Sequence, residues 1–120
     1  MWSALLRLSM AAAITVALRV RASDAPPKTQ ELLEKGRVAF TDYCTTCHGL
    51  KGEGDGPAST ALHPPPRNLV TNPTPGGARA VFKVLNTGVK GTGMGAFTYL
   101  SEEDRWAIAY YVESLARPKK

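Results

Sequence analysis

Side chains that bind metals or change redox state are scarce in this chain. Its 120 residues include two cysteines, two histidines and three methionines. Without a second cysteine pair there is no four-sulfur zinc site. A Cys2His2 site would need both His48 and His63, and His48 is tied directly to Cys47. No apolar run reaches the roughly 20 residues that span a bilayer as a helix. The segment Leu8–Leu18 stops at eleven residues. Strand-like alternation does not flank the cysteines, which argues against a redox-active pair in a βαβ unit. Internal repeats and low-complexity tracts are also missing.

What the chain does have is Cys44-Thr45-Thr46-Cys47-His48. Two thiols separated by two residues reach the two vinyl groups of one porphyrin edge, and the next histidine then lies under the iron. Cys-x-x-Cys-His is therefore read as a c-type haem attachment site, with His48 as proximal ligand. A plain disulfide or a zinc site explains the spacing less well.

The N-terminus fits an exported protein. Met1–Arg7 carries one positive charge, Leu8–Leu18 is uncharged and mostly apolar, and Val20-Arg21-Ala22 resembles a signal-peptidase site. We expect a signal peptide over 1–22, with cleavage after Ala25 as the second choice, and so a periplasmic location. Arg7, Arg19 and Arg21 would leave with it. Of fifteen basic residues twelve then remain against ten acidic ones, a balance of +2 that points to neither nucleic acid nor a membrane surface. The remaining 98 residues suffice for one small domain, whose limited core a bound macrocycle would complete.

Residues 23–27 read as a flexible leader, 28–117 as the domain and 118–120 as a short tail. Leu32, Leu33, Gly36 and Phe40 predict an amphipathic helix over about 28–43 that delivers the cysteine motif at its end. The stretch 49–77 is rich in glycine and proline and predicts an irregular loop across the haem. A short helix over 78–86 places Val81, Phe82 and Leu85 on one side. A final helix to about Leu115 opens at Ser101, its cap, followed by three acids that suit the positive end of the helix dipole. The fold class expected is all-α: about three helices joined by long loops around one haem.

Met1 and Met10 belong to the leader, so Met94 is the one methionine left for the sixth coordination position. Its flanks, Gly91-Thr92-Gly93 and Gly95-Ala96-Phe97, let the backbone pass close to a ring. Thioether sulfur suits haem iron. His63, ahead of Pro64-Pro65-Pro66, is the competing donor. Leu62, Leu69, Phe82, Phe97 and Trp106 are candidates for the haem wall.

Together these residues resemble class I cytochromes c. The likeness rests on Gly36, Phe40 and Cys44, on Gly-Asp-Gly-Pro at 54–57, on Pro-Pro-Pro-Arg-Asn-Leu at 64–69 and on Ser101–Trp106. It implies a cytochrome c fold in which Gly36 lets the first and last helices cross, near Ala109 and Tyr110. It also implies a proline carbonyl accepting the Nδ1–H of His48, from Pro66 or alternatively Pro57. Many relatives have proline after the ligand methionine. Gly95 stands there in this chain, so a looser Met94 loop is expected.

The expected function is single-electron transfer by one haem c, attached through Cys44 and Cys47 and ligated by His48 and Met94. With both axial positions filled, the site moves electrons rather than making bonds. Donor and acceptor would be redox proteins, met by a monomer, with Lys51, Lys83 and Lys90 as a possible docking rim for membrane respiratory complexes. The alternatives are a haem subunit of a larger dehydrogenase or oxidase, and a sensor or peroxidase with a labile sixth ligand.

Overall fold

The computed structural model describes residues 13–15 and 24–117. Apart from 13–15 the expected signal peptide lies outside them, as does the tail. The elements are α1 (Gln30–Tyr43), α2 (Thr45–His48), α3 (Gly77–Thr87) and α4 (Glu102–Leu115), with a 3₁₀ turn at Ser59–Ala61. There is no strand among the described residues, so the molecule is all-helical with long loops, as the sequence predicts.

Helix α1 starts where Thr29 accepts the amide hydrogen of Leu32 at 3.1 Å. It buries Leu32, Gly36, Ala39 and Phe40, a stripe at helical spacing. Helix α4 starts at Ser101, whose hydroxyl accepts the Asp104 N–H at 3.0 Å. Glu102, Glu103 and Asp104 occupy its first turn. The two helices cross at Gly36, where a Cβ would run into the carbonyl of Ala107 and crowd Tyr111. The crossing point is thus Ala107 and Tyr111, and not the expected Ala109 and Tyr110. Residues 107 and 111 lie four apart and form one ridge on α4. Tyr110 turns instead towards Trp106, 5.8 Å between ring centres.

Helix α3 packs on α4 through Ala78, Val81 and Leu85. Its N-cap, Gly76, has no side chain to offer the first amides. Glu113 of α4 supplies the acceptor instead, taking the Ala78 N–H at 2.7 Å. The same carboxylate pairs with Lys28 at 2.9 Å. Residues 23–27 were expected to be a flexible leader, yet Ala25 packs on the core and the Pro26 carbonyl accepts the Tyr110 hydroxyl at 2.6 Å. The chain is therefore fastened to α4 before α1 begins.

Candidate haem-binding site

Cys44 ends α1, its N–H still bonded to the Phe40 carbonyl at 2.9 Å. The backbone then turns into α2, where the His48 N–H meets the Cys44 carbonyl at 2.9 Å. One helical turn thereby places Cys44, Cys47 and His48 along one wall of a cavity of about 620 Å³. The two cysteines are not joined as a disulfide. Burial, with Cys47 close by, pushes the Cys44 thiol up to about 12, so it stays protonated.

His48 Nδ1 lies 3.1 Å from the carbonyl oxygen of Arg67. A carbonyl only accepts, so Nδ1 carries the hydrogen and Nε2 keeps its lone pair, the form needed to ligate iron. Burial holds the imidazole below its ordinary range, opposed by the Arg67 bond, and thus favours the neutral ring. The supporting carbonyl therefore belongs to Arg67. The Pro66 carbonyl, the expected acceptor, lies against Gly54, where a Cβ would meet it at 2.8 Å. Pro57, the runner-up, is not the partner either. The prolines shape the loop, and the next residue makes the bond.

The loop after His48 is fixed by backbone bonds to the motif. Gly54 N–H donates to the His48 carbonyl at 2.8 Å and Gly56 N–H to the Cys47 carbonyl at 3.1 Å. A Cβ at Gly56 would collide with the carbonyls of Thr45 and Thr46. Farther on, Leu69 N–H donates to the Gly52 carbonyl at 2.7 Å.

Met94 lines the same cavity as the thiols and His48. Its loop is a small self-bonded turn. Val89 N–H donates to the Met94 carbonyl at 2.9 Å, and Met94 N–H donates to the Thr92 hydroxyl at 3.1 Å. Phe97 N–H closes the exit on the Leu85 carbonyl at 2.7 Å. His63 is exposed and does not line the cavity.

Leu62, Leu69 and Phe97 wall the cavity as expected, whereas Phe82 and Trp106 do not. Those two stack on each other, 4.0 Å between ring centres, because Phe82 lies on the flank of α3 away from Val81 and Leu85. Val84 of α3 and Ile108 and Val112 of α4 also line it. Ile108 and Val112 are buried on α4, but no local pattern separates a core face from a ligand face.

The donor set fits a haem. A cavity of that size falls in the usual range for bound cofactors, and it combines apolar walls with two thiols, an imidazole with a free nitrogen and a thioether. Among the described residues no group of three or more His, Cys, Asp or Glu side chains could hold a bare metal ion. The family model for cytochrome c matches residues 33–116.

The chain belongs to the cytochrome c family. Membership implies haem c as cofactor, haem-based electron transfer as function and redox proteins as partners. No curated protein sequence matches this cytochrome c. Among solved structures, it is similar to a chain of the reducing HAO-like protein complex of Kuenenia stuttgartiensis. The TM-score is 0.71 and the identity 28%, over 82% of this chain and 50% of that one. It therefore spans about half the length of that relative.

Proposed function

We propose that this cytochrome c carries single electrons on one haem, attached through Cys44 and Cys47 and ligated by His48 and Met94, and that it works in the periplasm. When bound, the haem iron supplies one reversible one-electron couple. The observation that carries the reading is the shared cavity wall: two thiols, an imidazole held in the ligating tautomer, and the thioether of Met94. The Arg67 carbonyl orients His48 and strengthens it as a donor. Leu62, Leu69, Phe97 and Ile108 exclude water, which protects the couple from side chemistry. With His48 and Met94 both ligating, no coordination position would be left for a substrate. The leader features of residues 1–22 support export, and attachment of haem to paired thiols suits a compartment outside the cytoplasm.

Intact mass of the secreted protein tests attachment, and redox titration with optical spectra tests ligation. One added haem, a reversible one-electron wave and a weak ferric sulfur–iron band in the far red are expected. Met94→Ala should abolish that band and lower the midpoint potential. An unchanged spectrum in Met94→Ala would remove Met94 as ligand.

A second reading is that the chain is the electron-relay subunit of a larger complex. Its support is the structural relative, itself part of a protein complex and twice this chain's matched length. Lys51, Lys83 and Lys90 are exposed and lie outside the cavity lining, available for docking. Co-purification in fixed stoichiometry from native membranes would favour this reading over a diffusing shuttle.

A further inference from the structure

A haem is an apolar disc with two carboxylates, which must end in water or against hydrogen-bond donors, since an unpaired buried carboxylate is very costly. The cavity offers them few partners. Arg67 is the one lining residue with a permanent positive charge, and no lining residue is acidic. Other polar groups on the wall are committed. Cys44, Cys47, His48 and Met94 would be taken up by haem attachment and ligation under the proposed function. The Thr92 hydroxyl donates to the Val89 carbonyl at 2.7 Å and accepts the Met94 N–H. Tyr43 is half-exposed and its ring meets Tyr99 edge-on, 6.3 Å between centres, and its neutral hydroxyl carries no charge to offset a carboxylate. Tyr43 apart, the remaining polar lining comes from one short stretch: Arg67, Asn72 and Thr74.

That stretch is rigid. The Asn68 side-chain oxygen accepts the N–H groups of Val70 and Thr71 at 3.0 and 3.1 Å. Asn72 N–H returns to the Asn68 carbonyl at 3.0 Å. The Arg67 guanidinium is steadied by one bond, from Nη1 to the Asn72 carbonyl at 3.3 Å. A guanidinium has five N–H donors in a planar fork. Among the described residues the rest of this fork is uncommitted, and its geometry suits a carboxylate.

We propose that Arg67 pairs with a haem carboxylate, with Asn72 and Thr74 as neutral donors beside it. Arg67 then grips both parts of the cofactor site: its backbone carbonyl fixes His48, and its side chain fixes the porphyrin edge. A cation at that edge disfavours the more positive oxidised iron, so Arg67 raises the midpoint potential. This builds on haem attachment at Cys44 and Cys47, which intact mass tests separately.

The test uses the matured, haem-loaded protein. In the reduced wild type, nuclear Overhauser contacts are expected between Arg67 side-chain protons and the methylenes of a haem carboxylate. Their absence in a protein of correct holo mass overturns the proposal while leaving the electron-carrier reading intact. Arg67→Gln keeps the backbone carbonyl, so the sulfur–iron band should persist while the midpoint potential falls. Arg67→Lys should restore most of that fall. A wild-type potential in Arg67→Gln, or no recovery in Arg67→Lys, overturns the proposal. Should Arg67→Gln fail to mature, the contacts in the wild type still decide.

Discussion

The two loops that face the haem cavity are built on opposite plans. The loop after His48 is woven into the rest of the molecule. Gly54 and Gly56 bond to the carbonyls of the haem-attachment turn, Leu69 bonds back to Gly52, and a Cβ at Gly56 has no space. The Met94 loop is tied mainly to itself and to the end of α3. A Cβ at Gly95 or Gly91 would meet nothing within 4 Å. The difference teaches that His48, the proposed proximal ligand, is held by the fold as a whole, whereas Met94, the proposed distal one, hangs on a local turn. Under the proposed ligation, rigidity on one side and latitude on the other would let a bound iron keep His48 through events that detach Met94.

The sharpest way to break this comparison is to fill the proximal glycine. Gly56→Ala should destabilise the protein by about 3 kcal/mol or more, because the neighbouring atoms are backbone carbonyls that cannot rotate away. Urea unfolding of the holoprotein measures it. A loss below about 1 kcal/mol would show that the proximal loop is as yielding as the distal one.

On the distal side the corresponding contact is Gly88, with φ of 66°. Its Cβ would meet the Met94 carbonyl oxygen and the Gly95 carbonyl carbon at 2.8 Å each. Gly88→Ala should cost about 2 kcal/mol, combining a left-handed backbone with this contact. Unlike Gly56→Ala, it should act first on the ligand: the far-red sulfur–iron band weakens while the helical circular dichroism is retained. Joint loss of both signals would show that the loop is part of the cooperative core.

These contrasts were partly legible in the sequence. Leu32, Gly36 and Phe40 read correctly as one buried helix face, and Ser101 as a cap, because spacing and capping are local. Cys44, Cys47, His48 and Met94, which the structure brings to one cavity, were singled out by motif spacing and by the scarcity of methionine. Pro66 was the expected partner of His48 because the resemblance to class I cytochromes c implies a proline carbonyl there. Which of two adjacent carbonyls turns to an imidazole is set by how residues 64–69 lie across Gly54, a long-range fact. Phe82 and Trp106 looked like haem walls for the same reason: residue type marks them as buried, and only packing shows that they bury each other. The absence of proline at 95 suggested slackness. The turn bonds through Thr92 and Val89 were hidden, since a threonine two residues from a methionine carries no distinctive signal.

The third test concerns α3, whose C-terminal end carries the distal loop. Its N-terminal end depends on the Glu113 carboxylate, held below the ordinary carboxylate range by the Ala78 amide first and by Lys28 second. Because the folded value is depressed, this contribution is complete above the unfolded value near 4.5 and is lost as pH falls through the folded value. Glu113→Gln should cost about 1 kcal/mol at neutral pH, the usual worth of a helix cap. The gap between variant and wild type should narrow as pH falls below 4.5 and close once it is below the depressed folded value. A gap independent of pH would assign the effect to packing and not to charge.

The smallest effect is expected where the two loops differ most, at Gly95. Its φ lies outside the left-handed region, in contrast to Gly91 at 77°, and open space surrounds its Cβ direction. Alanine fits there without strain and reduces the freedom of the unfolded chain, so Gly95→Ala should stabilise by about 0.5 kcal/mol. Gly91→Ala, equally uncrowded but with positive φ, should instead destabilise by about 1 kcal/mol. Comparing the two by urea unfolding separates backbone conformation from packing within one loop. The ligand should respond as well: with fewer unligated conformations available to the loop, Gly95→Ala should strengthen retention of Met94 against an added competitor such as imidazole. If Gly95→Ala bound imidazole as readily as the wild type, freedom at residue 95 would have no part in holding the sulfur, and the lability of the distal side would lie in the Val89–Thr92 turn.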